Sequence, residues 1–72
     1  MFEVININLG DKRELNARLK NIKEKAPDAD VRFDQKVSRY YICLGEYGEL
    51  SIAQRKAKEF RKKGLVAGVK VD

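Results

Sequence analysis

Few side chains of this sequence could do chemistry, and they are not arranged for catalysis. There is one cysteine, Cys43, and no histidine, so neither a cysteine–histidine nucleophile pair nor a Cys/His metal site can form. The 11 acidic residues are dispersed, without a recognisable catalytic pair, and no glycine-rich phosphate loop is present. We therefore expect a protein that is not an enzyme and needs no cofactor or metal.

The residues better suited to binding are an aromatic ring and two cations, each set between apolar neighbours in a β-rich run. Because strand side chains alternate between faces, Tyr41, Arg32 and Lys70 are predicted on the face opposite the core. Ile5 and Cys43 complete an apolar centre that the two cations flank. Such a surface could take a flat ligand: the Tyr41 ring would be its largest apolar element, and Arg32 and Lys70 would reach carboxylates.

An internal repeat must position these side chains. When the chain is shifted against itself by 38 residues without a gap, its apolar positions align, among them Val4 with Ile42 and Ile22 with Phe60. Each half has a β-rich run, an amphipathic helix and a short alternating strand. Two such halves predict an α+β fold of order βαββαβ. This is the ferredoxin-like arrangement, a four-stranded antiparallel sheet with both helices on one face.

The 72 residues fit one domain, which we take to span 1–72. The predicted strands are 2–8, 30–34, 39–44 and 67–71, and the predicted helices are 11–25 and 51–63. Asp11 with Glu14, and Ser51 with Gln54, are spaced as capping boxes at the helix starts. The residues predicted to lie buried beneath the helices are Leu19, Ile42, Phe60 and Val69.

The first strand allows two phases. The repeat directs Phe2 and Val4 inward and Ile5 outward, and we follow it. The alternative phase buries Ile5, Ile7 and Leu9. A slip of one residue exchanges the two faces, so the phase decides which side chains reach a ligand.

The second half carries a more specific pattern. Tyr40-Tyr41-Ile42-Cys43-Leu44-Gly45-Glu46-Tyr47 precedes a helix with Ala53, Ala57 and Phe60 on one stripe, and then Gly64. In spacing this resembles the SPOR domain, a peptidoglycan-binding module of bacterial cell-division, sporulation and cell-wall proteins. That family's half-repeat has two aromatics, Val-Gln-x-Gly-x-Phe and a helix with small buried residues. Cys43 stands where the family often has Gln, and the first half has Ile7 and Leu9 in place of the Gly and the aromatic.

The resemblance implies the βαββαβ fold and binding of peptidoglycan glycan strands through the open face of the sheet. In that setting Arg32 and Lys70 would meet the lactyl carboxylates of strands stripped of peptide. We expect Gly45 to let the chain turn as it leaves the strand, and Tyr47 to fold back over the helix start. The candidate ligand-binding residues are Tyr41, Cys43, Ile5, Arg32, Lys70, Gly45, Glu46 and Tyr47.

Charge supports two other readings of the binding function. The net charge of +5 favours acidic partners, so RRM-like binding of single-stranded nucleic acid through the sheet is the first alternative. The RNP1 sequence pattern of RRM modules is absent from the chain. A protein-interaction or dimerisation module, monomeric or weakly dimeric, is the second alternative. The basic run 55–63 is interpreted as the solvated back of an amphipathic helix.

The resemblance places the protein at the cell envelope, in the periplasm or at the extracellular wall. No signal peptide is visible, so a chain that is a whole protein would be cytoplasmic. No apolar run is long enough for a membrane span.

Overall fold

The computed structural model describes residues 1–71, apart from the side chains of residues 7–9. Six elements follow in the predicted order: β1 (Phe2–Gly10), α1 (Lys12–Ile22), β2 (Asp30–Asp34), β3 (Arg39–Tyr47), α2 (Leu50–Lys62) and β4 (Ala67–Val71). The strands form one antiparallel sheet in the order β2-β3-β1-β4. The ferredoxin-like α+β fold is therefore confirmed.

The element boundaries differ from the predicted ones at the helix ends and at the ends of β1 and β3, which run two and three residues beyond the predicted 2–8 and 39–44. The Asp11 carboxylate accepts a hydrogen bond of 2.8 Å from the Glu14 backbone N–H, so this predicted cap is present. The predicted cap at Ser51 is wrong, because α2 begins at Leu50 and its N-cap is Glu49, without a side-chain cap. Helix α1 ends at Ile22, and a series of turns leads from it to β2.

The core lies between the sheet and the helices. Val4, Ile42 and Leu44 contribute from the two central strands, and Leu15 and Ala53 from the two helices. Of the four predicted core residues, Ile42 is fully buried. The other three are half-buried and pack against the core: Leu19, Phe60 and Val69.

Strand β1 adopts the phase that the repeat indicates. Val4 is buried in the core, and Glu3 and Ile5 lie on the other face of the sheet. The side chains of Ile7 and Leu9, on which the alternative phase also depended, lie outside the described residues. Within the described part of the chain, no helix is long and apolar enough to cross a membrane.

Candidate functional site

The sheet face opposite the helices gathers most of the predicted site residues. Directly paired residues of neighbouring strands share a face. Arg32 pairs with Tyr41, Ile5 with Cys43, and Glu3 with both Glu46 and Lys70. We call this surface the open face, and define it by Glu3, Ile5, Asp30, Arg32, Asp34, Arg39, Tyr41, Cys43, Glu46 and Lys70.

A buried carboxylate, that of Glu3, lies at the centre of the open face. Only 2% of Glu3 is exposed, and its Oε1 accepts hydrogen bonds from the Tyr41 hydroxyl at 2.7 Å and from Arg32 Nη1 at 3.2 Å. Lys70 Nζ lies 3.7 Å from its other oxygen. A carboxylate removed from water in this way requires such partners, and here it has three.

The two cations also bind the carboxylates around the centre. Arg32 forms ion pairs with Glu46 and with Asp30, the latter at 3.2 Å from its Nε. Burial acts to lower the pKa of Arg32, but the hydrogen bonds to Glu46 and Asp30 outweigh it, so the guanidinium pKa is raised. Lys70 Nζ is 4.0 Å from an Asp34 oxygen. Both predicted binding cations are thus held in ion pairs.

The expectation that the Tyr41 ring is exposed is wrong. Only 4% of Tyr41 is exposed, although it lies on the predicted face. Lys70 Nζ lies 5.2 Å from the ring centroid, and Arg32 lies beside Tyr41 on the neighbouring strand. Burial, followed by the hydrogen bond to Glu3, raises the pKa of Tyr41 to about 12. The ring is therefore buried beneath charged side chains, and its hydroxyl helps to hold the Glu3 carboxylate in place.

Cys43 is likewise on the predicted face but not at the surface. It is 1% exposed, and its thiol donates a hydrogen bond of 3.5 Å to the Gly45 carbonyl oxygen. Burial raises the pKa of the Cys43 thiol to about 12. Ile5 is half-buried and remains an apolar residue of the face. A thiol that is protonated and covered in this way is a packing residue and a poor nucleophile.

An irregularity in the sheet decides where the end of β3 points. Val4 pairs with Gly45 and Ile5 pairs with Cys43, so β3 carries one extra residue, Leu44, between these two pairs. Strict alternation from Tyr41 would direct Glu46 into the core. The irregularity instead brings Glu46 to the open face.

The same irregularity places Tyr47 on the helix side, where it packs against the core and where burial raises its pKa. The predicted turn at Gly45 is wrong, because Gly45 lies within β3. A Cβ at Gly45 would lie 2.7 Å from the Tyr47 hydroxyl oxygen, so the glycine accommodates the ring. Of the predicted site residues, Gly45 and Tyr47 thus lie apart from the open face.

Comparison with models of known protein families, with curated proteins and with solved structures finds no match to this chain. The open face must therefore be interpreted from its own chemistry. Among the described residues, no group of three or more His, Cys, Asp or Glu side chains could hold a metal ion. A shallow depression of about 360 Å³ lies at one end of the sheet and is lined by Gly10, Asp11, Ser38, Arg39 and Tyr40. None of these is a predicted site residue.

Sequence reasoning missed Glu3 and two of the carboxylates around it, those of Asp30 and Asp34, whereas Glu46 was among the predicted site residues. One signal was available, since Glu3 lies between Phe2 and Val4, both directed inward, and is the repeat partner of Tyr41. The open face carries four carboxylates, those of Glu3, Asp30, Asp34 and Glu46, against three basic side chains. It can both donate and accept hydrogen bonds, but it is not a cationic surface.

Proposed function

We propose that this chain is a non-catalytic binding module that binds peptidoglycan glycan strands through the open face of its sheet. The proposal rests on the SPOR-like pattern of residues 40–64 and on one observation in particular. This observation is the ordered network of donors and acceptors around Glu3, with Arg32 and Lys70 above it. The same proposal assigns the protein to the cell envelope.

The chemistry of the network suits a ligand rich in hydroxyl groups. Each sugar hydroxyl can donate and accept a hydrogen bond. Asp30 and Glu46 offer acceptor oxygens at the rim, and Arg32 and Lys70 offer donors whose side chains are 34% and 27% exposed. Because their ion pairs already hold these groups in place, binding would cost little side-chain ordering. The lactyl carboxylates of the glycan would approach Arg32 and Lys70.

The same observations disfavour RRM-like nucleic-acid binding through this face. Such modules stack bases on exposed aromatic rings, and the Tyr41 ring is covered. Tyr41 and Cys43 are accordingly proposed as positioning residues, which act through Glu3 and through the packing of the sheet.

The test is co-sedimentation of the domain with peptidoglycan sacculi, before and after amidase treatment. We expect binding, and stronger binding after the amidase has removed the peptides. The double variant Asp30→Ala/Glu46→Ala should lose most of it, because both acceptors lie at the rim of the face. Lys62→Glu, at the back of α2, should bind like the parent protein.

The matched control is Glu49→Ala/Glu59→Ala, which removes two exposed carboxylates next to and within α2 and changes the net charge equally. It should retain sacculus binding. Equal losses in the two double variants would mean that only net charge matters, and would contradict an open-face site. Single-stranded RNA binding that persists at physiological salt, without sacculus binding, would favour the nucleic-acid alternative.

A further inference from the structure

The positive charge of the protein is concentrated on its two helices. Helices α1 and α2 together contain nine basic residues and two acidic ones, Glu14 and Glu59, a net charge of +7. The whole chain carries +5, so the remaining residues have a net charge of −2. The open face itself has four carboxylates and three basic side chains, a net charge of −1, so the helices and the open face differ in the sign of their charge.

The outward side of the helices carries the cations that are most available. Arg55, Lys58 and Lys62 recur at i, i+3 and i+7 on α2, opposite the stripe of Ala53 and Ala57, and all three are exposed. Arg13 and Lys20 occupy the corresponding side of α1. We call the surface formed by Arg13, Lys20, Arg55, Lys58 and Lys62 the basic surface.

Among the described residues, no ion pair involves any of these five cations. Within the described part of the chain, the ion pair of α2 joins Lys56 to Glu59, at 3.4 Å, and includes none of the five cations. Like charges at i and i+3 or i+4, such as Lys58 and Lys62, destabilise a helix. Packing against the sheet does not require this arrangement, because the outward side makes no core contact. The charge is therefore available to a partner outside the fold.

The shape of the molecule indicates a planar partner. Its principal extents are 31, 27 and 16 Å, so it is a slab whose two broad faces are the sheet and the helices. The thickness of 16 Å exceeds the Debye length of about 8 Å at physiological ionic strength. The acidic open face would thus be screened from an anionic plane beneath the helices. An opposed pair of charged faces also orients the slab on such a plane.

We propose that the basic surface docks the domain on an anionic phospholipid bilayer, with the open face directed away from the lipid. The docking is electrostatic and without insertion. Of the large exposed apolar side chains in the described residues, Leu50 alone belongs to a helix, so the basic surface lacks an apolar face to bury in the bilayer. This surface is distinct from the glycan face, so both partners could be held together.

A lipid surface fits these observations better than nucleic acid does. The cations are distributed over both helices of a broad face, whereas a duplex would meet only a strip of it. No aromatic residue lies on the basic surface, so the stacking platform that single strands require is missing. Duplex binding is nevertheless a measurable outcome of the test.

The experiment measures binding of the whole chain to vesicles of phosphatidylglycerol and phosphatidylcholine by co-flotation. We expect binding that weakens steeply with salt and is absent on phosphatidylcholine alone. Lys58→Gln/Lys62→Gln should weaken binding roughly 5-fold for each charge removed, or about 25-fold in total. Lys58→Arg/Lys62→Arg should retain it. Sacculus binding by Lys58→Gln/Lys62→Gln should be unchanged, which separates this proposal from the glycan-binding proposal.

The matched control is Lys36→Gln/Arg39→Gln, which removes two exposed cations outside the helices and should weaken lipid binding far less. Three results would overturn the proposal. The first is an equal loss in the two glutamine variants, since net charge alone would then explain it. The second is equal binding to phosphatidylcholine vesicles. The third is tighter binding to a DNA duplex than to the vesicles at equal phosphate concentration and equal salt.

Discussion

The hydroxyl of Tyr41 donates a hydrogen bond of 2.7 Å to the carboxylate of Glu3, a residue 38 positions earlier in the chain. That separation is the period of the internal repeat, so the two residues are equivalents in the two halves. Ile5 and Cys43, the neighbouring equivalent pair, lie opposite each other on β1 and β3. The Glu3 network thus joins the two halves of the repeat on the open face.

Replacing Glu3 by Gln should destabilise the fold. The variant keeps the shape of the side chain but removes the charge that Arg32 and Lys70 share. Because Glu3 is almost fully buried while its cationic partners are partly exposed, we expect a loss of about 1–3 kcal/mol in the free energy of unfolding. Urea denaturation measures the difference.

The control for Glu3→Gln is Glu59→Gln, which removes an exposed carboxylate that is paired with Lys56 on α2. An exposed ion pair of this kind contributes little, so the free energy of unfolding should change by less than about 1 kcal/mol. If both variants lost the same amount of stability, the Glu3 network would have no special part in the fold.

Tyr41 should be sensitive both to loss of its hydroxyl and to loss of its ring. Tyr41→Phe removes one donor from a buried carboxylate and should cost about 1.5–3 kcal/mol of unfolding free energy. Tyr41→Ala also leaves a cavity and should cost about 3–5 kcal/mol, unlike the small effect expected of an exposed ring. Thermal or urea unfolding separates the two, with Tyr40→Phe as a control. An unchanged stability of Tyr41→Ala would contradict the burial of the ring.

Alternation in the sequence correctly predicted the fold and the face of each central residue, but not what covers that face. The pattern around Tyr41, Arg32 and Lys70 assigns all three to the side opposite the core. Whether a long cationic side chain extends into solvent or folds over a neighbouring ring depends on the lateral register of the strands. Here the register places Lys70 beside Glu3 and Arg32 beside Tyr41, and the Lys70 ammonium lies over the ring.

The end of β3 could not be predicted for a different reason. Periodicity assumes that each strand advances by one residue per partner residue. The extra residue Leu44 breaks that count, so Glu46 and Tyr47 exchange the faces that alternation from Tyr41 would give them. Gly45 is predicted to form a turn, but within β3 it provides space for the Tyr47 ring.

Stability should fall at alkaline pH through two buried acids. Folding raises the pKa of Tyr41 from 10.0 to about 12 and that of Cys43 from 9.0 to about 12. As the pH rises, the unfolded chain loses these protons at a lower pH than the folded protein does. The free energy of unfolding therefore decreases. Their contribution should be complete below pH 9 and should be lost progressively as the pH approaches 12.

Urea denaturation at a series of pH values measures this loss, and Cys43→Ala with Tyr41→Phe provides the comparison. The double variant should be less stable at neutral pH but should lose less stability than the parent protein between pH 9 and pH 12. The two proteins share every other titratable group, so the difference between their stability curves reports on Tyr41 and Cys43. Parallel curves would mean that neither group is protected by the fold.

The two glycines at the end of β3 should respond very differently to alanine. A Cβ at Gly45 would meet the Tyr47 ring, at 2.7 Å from its hydroxyl oxygen and 3.1 Å from Cζ. The ring packs against the core, so its displacement should cost about 1–3 kcal/mol of unfolding free energy. A Cβ at Gly48 would meet no atom within 4 Å, so Gly48→Ala should change stability by less than about 0.5 kcal/mol. Urea denaturation of the two variants side by side makes the comparison, and equal effects would show that the Tyr47 ring does not occupy the space beside Gly45.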